Sequence, residues 1–90
     1  MTKAELISEI SLTTGYEKKT IGVFVEAFTG TIKKQLIKGE NVYLRGFGTF
    51  TTKTRAAKIA RDILKERTVS VPEHKIPAFK PAAEFKEAVR

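Results

Sequence analysis

Cysteine and tryptophan are absent from the 90 residues, proline occurs three times, and methionine only at the start. Without cysteine there can be no disulfide framework, thiolate nucleophile or Cys-based zinc site. No apolar run approaches the roughly 20 residues needed to cross a bilayer. The opening segment Met-Thr-Lys-Ala-Glu-Leu lacks the basic-then-apolar order of a secretory leader, so a cytoplasmic protein is expected. Histidine appears once, as His74, with Glu73 its only acidic neighbour in the chain, and a lone imidazole in that setting reads as a polar arm residue rather than a metal ligand or general base. There is no Gly-x-x-x-x-Gly-Lys phosphate loop, no dinucleotide fingerprint after a strand, and no nucleophile with a partner base. An enzyme is therefore the last of the candidate classes: no catalytic residue, metal, cofactor or small-molecule substrate is expected.

Acidic residues are also scarce. Ten Asp and Glu face 17 Lys and Arg, leaving a formal charge of +7. A surplus of that size on so short a chain favours a polyanionic partner, nucleic acid first and an anionic membrane surface second. The surplus is uneven: residues 1–45 carry seven basic and five acidic side chains, residues 46–90 ten and five. Hydrophobic residues make up 41% of the chain, including six Phe, so it should fold rather than stay disordered. Yet 90 residues bury little apolar surface alone, which makes a partner subunit plausible before any motif is considered.

Thr2 followed by Glu5 has the spacing of a capping box, and Leu6, Ile7, Ile10 and Thr14 recur at helical intervals until Gly15 interrupts. A longer helical pattern runs from about Glu17 to Lys38, with Ile21, Phe24, Val25, Phe28, Ile32 and Leu36 on one stripe and Gly39 as the stop. Gly22 and Gly30 inside it each cost about 1 kcal/mol relative to Ala, which points either to close approach of another element or to tolerated surface glycines. From Asn41 the period becomes two. Val42 and Leu44 alternate with Tyr43 and Arg45, Gly46-Phe47-Gly48 turns the chain, and Thr49 to Thr54 reads as the second strand of a hairpin. The glycine-bracketed bend is read as structural, placing Phe47 and Phe50 in the core.

Residues 55–75 are basic and poor in large apolar side chains before Val69. Two extended segments flanking a turn near Ile63 to Glu66 would form a two-stranded arm, with Pro72 tolerated if its missing N–H faces an unpaired edge. Ile76-Pro77-Ala78-Phe79 then returns, and Pro81, suited to a first helical position, opens a short final helix containing Glu84, Phe85, Ala88 and Val89.

Along the arm, Arg45, Lys53, Arg55, Lys58, Arg61, Lys65 and Arg67 meet only Asp62 and Glu66. A charge run is usually a solvated surface. Here the lack of opposing acids and of a core favours long cations tracking a phosphate backbone with salt-dependent affinity. Ile63 and Leu64 fall at the tip, where an aliphatic side chain is either incidental or a wedge that slips between base steps from the minor groove.

Leu6, Ile7 and Ile10, then Gly39, Gly46-Phe47-Gly48-Thr49-Phe50, Lys53-x-Arg55-Ala56-Ala57 with Arg61, and Pro77-x-Phe79 form a specific set. Through them the whole chain resembles the bacterial HU and integration host factor proteins, HU most of all. The resemblance implies an obligate intertwined dimer with a helical base and two β-ribbon arms that wrap the minor groove, their tips inserting between base pairs. It extends the candidate DNA-binding set, which also includes Lys75 at the end of the arm, to Lys3, Lys18, Lys80 and Lys86 on the body. The tip departs from the family pattern: Arg61-Asp62-Ile63-Leu64-Lys65-Glu66 replaces Arg-Asn-Pro with a following Thr-Gly, so Ile63 stands where the family has its intercalating proline. Ile63 can wedge but lacks the fixed φ and flat ring of proline, and Asp62 adds repulsion near phosphates. Ala83 replaces a residue that is basic in many relatives. Arg45 before Gly46, and Phe79-Lys80-Pro81, resemble one integration host factor subunit more than a typical HU.

The expected architecture is thus a single α+β domain over 1–90: two N-terminal helices, a short C-terminal helix, and an antiparallel sheet extended into a ribbon arm at about 55–75. The expected function is a nucleoid-associated, histone-like protein that bends and compacts duplex DNA through the minor groove with little sequence preference. The alternatives are a sequence-specific bender of the integration host factor kind and an RNA-binding module. The expected assembly is a homodimer, with a heterodimer the alternative.

Overall fold

A computed structural model describes the backbone at residues 1–62 and 67–90, and the side chains at 1–59 and 70–90. The chain divides into two compact units, Met1–Gln35 and Leu36–Arg90.

The first unit is helical. Helix α1 spans Lys3–Thr14, and the Thr2 hydroxyl accepts the Glu5 N–H, satisfying one of the donors a helix start leaves orphaned. The other half of the expected box is altered: the Glu5 carboxylate accepts from the Thr2 hydroxyl rather than reaching its backbone N–H. The helix ends at Gly15, whose φ of 80° would strain a side-chain-bearing residue and whose N–H donates to the Ser11 carbonyl. Helix α2 covers Lys18–Ile37, within a residue of the span the periodicity predicts. An ion pair between Lys3 and Glu26 joins the two helices. The Ile7 side chain lies 3.9 Å from where a Gly22 Cβ would sit, an ordinary van der Waals approach, whereas nothing among the described residues comes within 4 Å of one at Gly30.

Five strands and a helix follow. Strands β1 (Val42–Leu44), β2 (Gly48–Arg55) and β5 (His74–Pro81) form an antiparallel sheet in the order β1-β2-β5, while β3 (Lys58–Asp62) and β4 (Arg67–Val71) pair as a separate ribbon. The expected α+β class and element order are both present. The β1–β2 turn uses a positive φ at Gly46 and a Phe47 N–H donated to the Leu44 carbonyl. Gly48 is required by proximity, because a Cβ there would lie 2.5 Å from the Lys80 carbonyl oxygen and 2.6 Å from the Phe79 ring.

Two local expectations need correction. Pro81 is not the first residue of a helix: it closes β5 opposite Gly48, and α3 (Ala83–Val89) starts after Ala82, whose N–H is taken by the Phe47 carbonyl. Pairing with β2 keeps Pro81 extended. Nor does Pro72 sit at the edge of an unbroken arm, for the ladder lapses there. Arg55 pairs with His74 and Lys58 with Val71, leaving Ala56 and Ala57 unpaired against Pro72 and Glu73. Proline has no N–H to give the ladder. The arm's own ladder therefore pairs 58–62 with 67–71, with Arg55 and Lys75 at its root.

Candidate nucleic-acid interface

Residues directly opposed in an antiparallel sheet share a face, and successive residues alternate between faces. One face of the β1-β2-β5 sheet carries Val42, Leu44, Phe50 and Phe79. Phe47 from the turn and Phe85 from α3 complete an aromatic cluster, with Phe47 stacked on Phe85 at 5.3 Å and Phe50 tilted against Phe79 at 4.9 Å between centroids. The glycine-bracketed bend brings Phe47 and Phe50 into this cluster, but not into a core as expected: within the single chain Phe50 is half-buried and Phe47 44% exposed.

The opposite face is polar and cationic. It carries Tyr43, Thr49, Thr51, Lys53 and Arg55 from β1 and β2, facing Lys80, Ala78, Ile76 and His74 from β5. Lys53, Arg55, His74 and Lys80 are exposed. Near the turn an open cleft of about 400 Å³ is lined by Tyr43, Arg45, Thr49 and Lys80. At its rim the Thr51 hydroxyl donates to Asn41 Oδ1 at 2.8 Å, and Asn41 Nδ2 donates to the Tyr43 hydroxyl at 3.2 Å. That relay occupies a lone pair of the phenol and leaves its proton to donate outward.

The break at Pro72 does not shift the register. Each strand skips two residues, so the pairing offset is the same on both sides of the gap. Within the ribbon, Ile59 stands opposite Ser70 and Lys58 opposite Val71. Among the described side chains of the ribbon, Lys58 is exposed and adds a cation beyond Arg55 and Lys75.

Of the expected site residues, Arg45, Lys53, Arg55, Lys58, Lys75 and Lys80 lie on the sheet and ribbon root. Arg61 and Arg67 belong to the ribbon backbone, opposite Thr68 and Asp62 respectively. Ile63 and Lys65 lie outside the described residues. Lys3 is engaged by Glu26, and Lys18 is exposed at the start of α2. The Lys3 ammonium hydrogen-bonds Glu26 and, with its charge, holds that carboxyl below the ordinary carboxylate range. Lys86 borders an apolar cleft of about 430 Å³ formed with Phe79, Phe85 and Val89. Among the described residues no group of three His, Asp or Glu side chains could hold a metal, and no helix is long and apolar enough to cross a membrane.

The sequence profile of the bacterial DNA-binding protein family matches residues 1–90. The chain belongs to that family. It is 36% identical over 90 residues to the DNA-binding protein HU of Thermotoga maritima and 39% identical to that of Geobacillus stearothermophilus, covering all of each. Among solved structures, an Anabaena HU crystallised with DNA superposes with a TM-score of 0.92 at 29% identity, covering 99% of this chain and 97% of that one. Within the bacterial DNA-binding protein frame, sequence reasoning had passed over Tyr43, the Asn41–Thr51 pair and the placement of His74 beside Arg55. The signal was available for the first two: the period-two pattern that sends Val42 and Leu44 to the apolar face sends Asn41, Tyr43 and Arg45 to the other.

Proposed function

We propose that two copies of this chain form an architectural, histone-like protein of the bacterial nucleoid that binds duplex DNA through the minor groove and bends it with little sequence preference. The whole of 1–90 serves as one DNA-binding domain. The observation that carries the reading is the cationic sheet face of Lys53, Arg55 and Lys80, beyond which a paired ribbon continues with the same pairing offset. Phosphate neutralisation by such a ribbon supplies affinity without reading sequence, and the closer fit of a bent duplex against the protein offsets the energy of deforming it. Arg45, Lys53, Arg55, Lys58, Arg61, Lys65, Arg67 and Lys75 serve the ribbon and its root, and Ile63 is the wedge. Lys3, Lys18, Lys80 and Lys86 meet flanking phosphates.

Assembly as a pair is supported by what the single chain leaves uncovered. Ile21 is the one buried hydrophobic among the described residues, while Phe24 is 67% and Phe28 50% exposed. Both border an apolar groove of about 580 Å³ with Leu6, Ile10 and Val25. A second copy packing there would bury what one chain cannot.

Ligase-mediated cyclisation of duplexes shorter than the roughly 150-bp persistence length tests the bending. The protein should raise the cyclisation rate, Ile63→Ala should lower that gain while keeping most of the affinity, and Arg61→Ala should weaken binding about equally on all sequences. No gain in cyclisation with the unmodified protein would remove bending from the function.

A further inference from the structure

His74 is the sole histidine of the chain, and it sits where the sheet hands over to the ribbon. It pairs directly with Arg55 across β2 and β5, so the two exposed side chains leave the same face with their Cβ atoms about 5 Å apart. The imidazole is oriented. Its Nδ1 lies 2.8 Å from the carbonyl oxygen of Pro72, which can only accept, so Nδ1 carries a proton and donates it. In the neutral ring Nε2 then holds a lone pair, which repels a phosphate oxygen; in the protonated ring Nε2 becomes a second donor.

From this geometry we infer that Arg55 and His74 form a phosphate-binding pair at the root of the arm, completed only when the imidazole is protonated. The inference rests on the duplex-binding function proposed above. The charged groups around His74 fit it. From β2, Arg55 stands directly opposite and Lys53 two residues along the same face; on its own strand Glu73 precedes it in the ladder gap and Lys75 follows on the other face. A phosphate seated between Arg55 and His74 accepts from Nε2 only when that nitrogen carries a proton, so seating it there takes up a proton. Histidine is the side chain whose ordinary titration falls between pH 5 and 8, which puts the coupling in a window where carboxylates stay ionised and Lys and Arg stay charged.

The experiment measures duplex affinity of the full chain at about pH 8 and about pH 6 across a salt series, with His74→Gln and His74→Lys alongside. Affinity of the unmodified protein should rise about tenfold on acidification, and its log–log salt slope should steepen by about 1.8, two phosphates per pair of chains. His74→Gln should lose most of that rise, and His74→Lys should hold the acid-side affinity at about pH 8. Titration calorimetry in buffers of different ionisation enthalpy should register proton uptake by the unmodified protein and less by either variant. An equal rise in the unmodified protein and His74→Gln, or no gain at about pH 8 from His74→Lys, overturns the inference while leaving duplex binding intact. Failure to bind duplex at both pH values overturns the functional reading and this inference with it.

Discussion

The two units of the chain solve the problem of small size in opposite ways. Leu36–Arg90 gathers Phe47, Phe50, Phe79 and Phe85 into a cluster of its own on one sheet face and spends the other on cations. Met1–Gln35 has the capped helix α1 and most of α2 but buries only Ile21, leaving Phe24 and Phe28 on an open groove. Helix formation needs only local hydrogen bonds and caps, so α1 and α2 take shape from their sequence. Their apolar stripe still requires a surface to meet. One unit therefore organises its aromatic cluster and cationic face from within, while the other leaves its apolar stripe uncovered.

The strongest way to break that contrast is at Phe28. In a self-sufficient monomer, Phe28→Glu would be nearly silent, since the ring is half-exposed. If the groove is covered by another copy, the change removes about 1.5–3 kcal/mol of burial per chain and places a charge in an apolar contact. Sedimentation and far-UV circular dichroism should show loss of the two-chain species together with cooperative unfolding.

A smaller effect is expected in the second unit. Gly48→Ala drives a methyl into the Lys80 carbonyl and the Phe79 ring, so the sheet must shift, at a cost of about 1–3 kcal/mol. Denaturant midpoints should fall while the assembly state at moderate concentration stays unchanged. A fall in assembly matching that of Phe28→Glu would erase the distinction between the units.

The smallest effect belongs to the Lys3–Glu26 pair, which is exposed on both sides. Its lowered carboxyl pKa means the stabilisation is present above the unfolded-state pKa and fades as pH falls through the folded-state value. Glu26→Gln should lower the melting temperature slightly at neutral pH, with the difference from the unmodified protein closing in acid. A constant difference at all pH values would assign the effect to packing instead.

Much of this is legible in the sequence. The helical stripe from Ile21 to Leu36, the Gly15 and Gly39 stops and the Gly46-Phe47-Gly48 bend all rest on local periodicity or backbone preference, and each lies where the pattern places it. Pro81 was misread because its φ suits a helix start and a strand end alike, and only pairing with Gly48 decides between them. His74 was read as an incidental polar residue because nothing nearby in the chain reveals that Arg55, 19 positions earlier, stands opposite it.

The amino-acid order alone determined the element types, the charge surplus of the second half and the dearth of apolar surface that a lone chain can bury, because these follow from near-neighbour chemistry and composition. Tertiary structure alone decided which cations share a face, where the ladder breaks without losing register, and which glycine has a neighbour too close for a side chain. Those outcomes depend on strand pairing between residues far apart in the chain, and a single residue's slip would have sent every one of those side chains to the opposite side.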